Sequence, residues 1–125
     1  MKNFKFRAWD KDHKYMEYTD KNLIVTFGEK GIVNATDLSD IYSACEYMQN
    51  YELMQSTGLK DNDGIEFYKK DIVRNIDSEE LGVVEYDEGQ FRVSYNGVSE
   101  QLWEIDKDLQ IIGNIYENPE LLEGE

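Results

Sequence analysis

Asp61-Asn62-Asp63-Gly64 is the stretch whose residue types most resemble a ligand set. Two carboxylates, an amide oxygen and a glycine in a row are how a calcium loop begins, with oxygen ligands at positions 1, 3 and 5, glycine at 6 and a bidentate Glu at 12. With Gly64 at position 6, the loop would start at Leu59 and its twelfth position would fall on Lys70. An apolar side chain and a cation then stand where the outer carboxylates belong. Asn, Asp and Gly also supply the self-bonding side chains and the positive φ of a tight turn, and the stretch reads as a turn.

Other chemistry finds little to work with. Cys45 is the single cysteine and His13 the single histidine, so an intramolecular disulfide and a zinc site built from Cys and His are both excluded. A nucleophile pair would have to use His13, which lies in Asp10-Lys11-Asp12-His13-Lys14 and reads as a solvated hairpin turn without a positioned partner. Glu85, Asp87 and Glu88, and likewise Asp77, Glu79 and Glu80, cluster carboxylates among polar turn residues. Paired carboxylates do acid and base work when burial drives their pKa values apart, and neither cluster shows an apolar surround. The glycines at 28, 31, 58, 64, 82, 89, 97, 113 and 124 have the wrong spacing for a phosphate-cradling loop. No catalytic residue, cofactor or metal is expected, and the chain reads as non-enzymatic.

Two candidates for contact remain. Lys5, Arg7 and Trp9 alternate with Phe4, Phe6 and Ala8, so they share the outward face of a half-buried strand. Arg beside an aromatic can stack a base and neutralise a phosphate, which makes this face the candidate for nucleic acid; the plainer reading is an ordinary outer face with Trp9 covered. Trp103 and the nine tyrosines are spread through nearly every strand; most are expected in the core, and any excess favours subunit contacts.

The elements that must hold these residues are short. Residues 3–9 and Tyr15–Tyr18 form a hairpin, Asn22–Phe27 and Gly31–Ala35 another pair of strands. Asp37 or Ser39 could cap a helix carrying Leu38, Ile41, Tyr42 and Cys45 on its buried stripe, which makes Cys45 a small core residue. After the turn at 60–64 the expected strands are Ile72–Asn75, Gly82–Tyr86, Phe91–Tyr95, Leu102–Ile105 and Leu109–Tyr116, with Asn96-Gly97 the clearest hairpin signal. That spacing predicts a small barrel or strongly bent sheet. Pro119 after Asn118 predicts a final helical turn through Leu122.

Charge divides the chain as texture does. Residues 1–60 carry eight Lys or Arg against nine Asp or Glu, while residues 61–125 carry five against eighteen. The acidic half repels phosphate backbones; it suits solubility, a basic partner or mimicry of nucleic acid. No apolar run approaches the roughly 20 residues that span a bilayer, and Lys2, Lys5 and Arg7 interleave with Phe4, Phe6 and Trp9 where a leader would be. A soluble, cytoplasmic protein is expected, with no membrane contact.

KFRAWD at 5–10, ELMQSTGLKDNDG at 52–64, FYKKDIV at 67–73 and IIGNIYENPELL at 111–122 together resemble the YopX family, proteins of Gram-positive bacteria carried mainly by phages and prophages. The resemblance runs from end to end as one continuous unit. It implies an α+β protein, with an N-terminal α+β subdomain (1–60) of short strands and one helix and a C-terminal SH3-like barrel (61–125). It also implies homo-oligomers and no established activity. The family usually has Glu-Gly before Asp-Ile-Val, whereas Lys69-Lys70 stands there in this chain. The combined expectation is a self-assembling module that meets an unidentified host or phage protein, with a nucleic-acid-binding accessory role and acidic mimicry as alternatives.

Overall fold

The structure, a computed structural model, describes residues 5–19, 23–28, 31–37, 46–47, 50–95 and 97–123. It is mostly β, and the contacts divide the chain into two compact units, Phe4–Gln55 and Ser56–Glu125.

In the first unit, β1 (Phe6–Asp10) pairs antiparallel with β2 (Tyr15–Tyr18) on one side and, on the other, with residues Tyr51–Gln55 of β6 (Tyr51–Lys60). The expected alternation puts Phe6 and Ala8 inside, and they pack with Leu23, Tyr51 and Leu53. Asp10 is buried on that same side, and on the opposite face Arg7 is buried and Trp9 half-buried. β3 (Leu23–Gly28), β4 (Gly31–Asp37) and β5 (Glu46–Tyr47) make a separate antiparallel sheet. The helix expected to follow residue 37 lies outside the described residues, apart from Asp37, which ends β4.

In the second unit, Ser56–Lys60 of β6 pairs with β7 (Glu66–Tyr68), with an irregular register around Gly58, whose φ is +80°. β8 (Asp71–Asn75), β9 (Leu81–Asp87), β10 (Gln90–Tyr95) and β11 (Val98–Gln101) form an antiparallel meander. β12 (Leu109–Asn114) then returns to the free side of β8, giving the order β11-β10-β9-β8-β12 in a half-barrel. Phe67, Val73, Val84, Val93, Leu102 and Leu109 fill its core, flanked by Leu59, Phe91, Ile105 and Ile111.

Two expectations are corrected. Leu102–Ile105 is a turn of α-helix, α1, and not a strand: Leu102 is buried, Ile105 three residues on packs against the core, and Trp103 and Glu104 face out, a helical spacing that four residues cannot distinguish from a strand. It continues into a 3-10 turn at Asp106–Asp108. The strand that follows β10 is instead β11, whose Val-Ser-Glu-Gln carries no apolar alternation because its first three side chains are exposed. The final turn is a 3-10 helix, Pro119–Leu122. Among the described residues no helix is long and apolar enough to cross a membrane.

Candidate functional site

The Asp61 turn is settled by its hydrogen bonds. Asp61 is 1% exposed. Its Oδ1 accepts the amides of Asp63 (2.9 Å) and Ile65 (2.8 Å), and its Oδ2 accepts the amide of Ile111 in β12 (2.9 Å). The Asn62 amide donates to the Leu109 carbonyl (2.9 Å), and Gly64 closes the turn with φ +81°. Asp63, exposed, accepts Gln110 Nε2 (3.1 Å). Asp61 is therefore fully committed to the chain itself, and its turn bonds Leu109 O and Ile111 N on the outer side of β12. Among the described residues, no group of three or more His, Cys, Asp or Glu could hold a metal ion.

Three other motif segments use polar side chains in the same way. Asp10 Oδ1 accepts the amides of Asp12 (2.9 Å) and His13 (3.0 Å), and its Oδ2 meets His13 Nδ1 (3.0 Å), while Lys14 takes φ +58°. Burial, the largest influence on this carboxyl, raises its pKa, yet the bonds from His13 and Asp12 together bring it below the ordinary value. At the second corner Asp71 Oδ2 accepts the Tyr68 amide (2.7 Å). Lys70 takes the left-handed conformation, φ +76°. Its amide bonds Val84 O (2.7 Å), its carbonyl accepts the Ile115 amide (3.1 Å), and its ammonium pairs with Glu85 (2.8 Å). At the third segment Asn114 Oδ1 accepts the amides of Tyr116 (3.0 Å) and Glu117 (2.8 Å), and Asn118 Oδ1 accepts the Asn114 amide (3.2 Å). A Cβ on Gly113 would lie 2.5 Å from that Asn118 oxygen, so the glycine makes room for the turn.

Of the contact candidates, Lys5 is exposed and Trp9 half-buried, but Arg7 is 3% exposed, with Nε directed at Met54 Sδ (3.4 Å). The three do not form one solvent-facing stripe, because Arg7 between the other two is buried. His13 remains on its exposed turn. Asp77, Glu79, Glu80, Asp87 and Glu88 are exposed, and Glu85 is taken by Lys70. Tyr95 Oη is buried without a hydrogen-bond partner among the described residues. Burial pushes its phenol above the ordinary value; Asn75 lies close enough to oppose this without reaching bonding geometry.

Trp103 stands apart. It is 62% exposed, and its indole N–H donates to Gln101 Oε1. Beside Gln101, a shallow polar groove is lined by Asp87, Glu88, Gln90, Arg92 and Ser99. Arg92 is fixed there by neutral acceptors, Ser99 Oγ (3.0 Å), Ser99 O (3.2 Å) and Gln90 Oε1 (3.4 Å). Sequence reasoning singled out Trp103, but it missed the groove, whose residues are individually unremarkable turn and strand polars.

Fold and geometry thus define a mostly-β protein in which the motif residues are turn and edge clamps. The family described as YopX protein matches over residues 5–123, and the chain belongs to the YopX family. The crystal structure of protein yopX from Bacillus subtilis is similar at 25% identity and TM-score 0.72, over 98% of this chain and 100% of that one. Protein EF1440 from Enterococcus faecalis is similar at 27% identity and TM-score 0.67, with the same coverage. No curated protein is significantly similar to the chain.

Proposed function

We propose that this protein is a non-enzymatic, self-assembling protein-contact module of phage or prophage origin, acting in the bacterial cytoplasm. Its finer architecture is α+β, with the half-barrel of the second unit an SH3-like barrel: a four-strand meander, a helical turn, and a last strand returning to the first. The observation that supports the functional reading is the use made of buried acids. Asp10, Asp61 and Asp71 each accept backbone amides, and a carboxylate so engaged is held as a structural anion and not as a base awaiting substrate. The burial of Arg7 counts against a strand face for nucleic acid.

Absolute mass by size-exclusion chromatography with light scattering, at low and moderate salt, with and without short single- and double-stranded DNA, tests this. A closed oligomer indifferent to DNA is expected. A monomer whose mass shifts with DNA at low salt would overturn the reading in favour of a nucleic-acid accessory protein.

A further inference from the structure

The five-stranded sheet has two edges, and they are finished differently. Along β12, Leu109 O and Ile111 N are bonded by the Asp61 turn. Along β11 no further strand is paired among the described residues, and Val98, Ser99 and Glu100 are exposed. Among the described residues, the one side-chain bond to its backbone is from Arg92 Nη2 to Ser99 O. A carbonyl oxygen has two lone pairs, so this oxygen can still accept a strand amide. An exposed edge of unpaired groups is a template for an extended segment.

The neighbourhood says which segment. Val98 and Trp103 are each 62% exposed, so the edge carries apolar surface at both of its ends. Glu100, Glu104, Asp106 and Asp108 lie between residues 98 and 108 against the single cation Lys107. Asp87 and Glu88 in the adjoining groove form no ion pair among the described residues. A second copy adding antiparallel at this edge would bring the acidic patch against itself, and a nucleic acid would meet a unit of strongly negative charge. A cationic chain suffers neither repulsion, since Arg92 and Lys107 are outnumbered there by Asp87, Glu88, Glu100, Glu104, Asp106 and Asp108, and its Lys or Arg can lie over the indole of Trp103.

We propose that β11 and Trp103 form a docking edge for an extended, Lys/Arg-rich segment of a partner protein, which adds as a further strand and sets a cationic side chain on Trp103. This deepens the protein-contact reading and rests on it. The test uses the full chain and an end-blocked decapeptide alternating Lys or Arg with Val or Thr, fluorescently labelled. One control peptide keeps the charge but carries two prolines, and another has Glu for every cation. Anisotropy reads affinity, and amide hydrogen exchange reads position.

The alternating peptide is expected to bind and to slow exchange within 98–104. Glu100→Lys with Glu104→Lys weakens it by about tenfold or more, Trp103→Ala by several-fold, and the proline peptide binds about tenfold less well. All three altered residues are exposed, so the variants keep the parent's unfolding midpoint. Absence of binding at low salt, equal binding of the proline peptide, or indifference to the charge reversals would overturn the proposal. Protection of 98–104 on concentrating the protein alone, or by oligothymidylate, would do the same by assigning the edge to a second copy or to nucleic acid. A closed oligomer that ignores the peptide leaves the assembly reading standing and removes only this edge.

Discussion

β12 and β11 are the two edges of one sheet, and they are built from opposite materials. The β12 edge is closed by Asp61, the residue in the chain that looks most like a ligand. The β11 edge, in a stretch without an eye-catching residue type until Trp103, has no further strand paired to it among the described residues. A carboxylate that accepts several backbone amides is worth more to a small sheet as a seal than as a surface charge. The residue that most resembles a ligand therefore serves the chain itself, and exposure is what separates the two edges.

Breaking the seal gives the largest effect expected. Asp61→Ala leaves the Asp63, Ile65 and Ile111 amides without their acceptor, and denaturant unfolding should show a loss of about 3 kcal/mol or more, with Asp61→Asn losing roughly half of that. The far end of the same strand is tested by Gly113→Ala, since its Cβ would meet Asn118 Oδ1 at 2.5 Å. Overpacking of this kind costs about 1–3 kcal/mol, read from the same titration. Failure of either variant to destabilise would mean that β12 is not held as described.

Asp10 makes the same clamp in the other unit and carries a pH signature. Its folded-state pKa lies below the ordinary 3.8. Its contribution is then complete above the unfolded-state value and is lost as pH falls below it toward the folded-state value. Asp10→Asn should cost about 1 kcal/mol at neutral pH and flatten the stability profile in the acid limb. An unchanged acid limb would remove Asp10 from the account.

Lys70 sharpens the comparison at a corner. A non-glycine residue in the left-handed region costs about 1–2 kcal/mol, which Lys70→Gly relieves while losing the half-buried Glu85 pair and gaining unfolded-state entropy. The net change expected is within about 1 kcal/mol, whereas Lys70→Val, β-branched at φ +76°, should be clearly destabilising. At the open edge, Trp103→Ala should leave stability within about 0.5 kcal/mol of the parent, in contrast to every change at the sealed one.

How legible this was depended on local chemistry. The Phe6 and Ala8 side of β1, the turn at 61–64 and the strands within β8, β9, β10 and β12 followed from period-two patterning and turn residues. The burial of Arg7 did not, because alternation assumes one wet face, and on that face Arg7 meets Met54, 47 positions away. β11 was invisible because an edge strand needs no apolar face, and α1 was misread because Leu102, Trp103 and Ile105 fit either period over four residues. Asp61 was read as a turn residue, but nothing local predicts that its second oxygen seals Ile111, 50 residues on.

Amide hydrogen exchange resolved at Ile111 and Ser99 in a single sample tests the central claim most directly. Ile111 donates to Asp61 Oδ2. Ser99 follows Val98, which pairs with Tyr95 across a two-residue turn, so its amide points away from β10 along the open edge. The account predicts slow exchange at Ile111, fast exchange at Ser99, and slowing at Ser99 alone when the Lys/Arg-rich peptide is added. Equal protection of the two amides, or a peptide that slows Ile111 and leaves Ser99 unchanged, would contradict it.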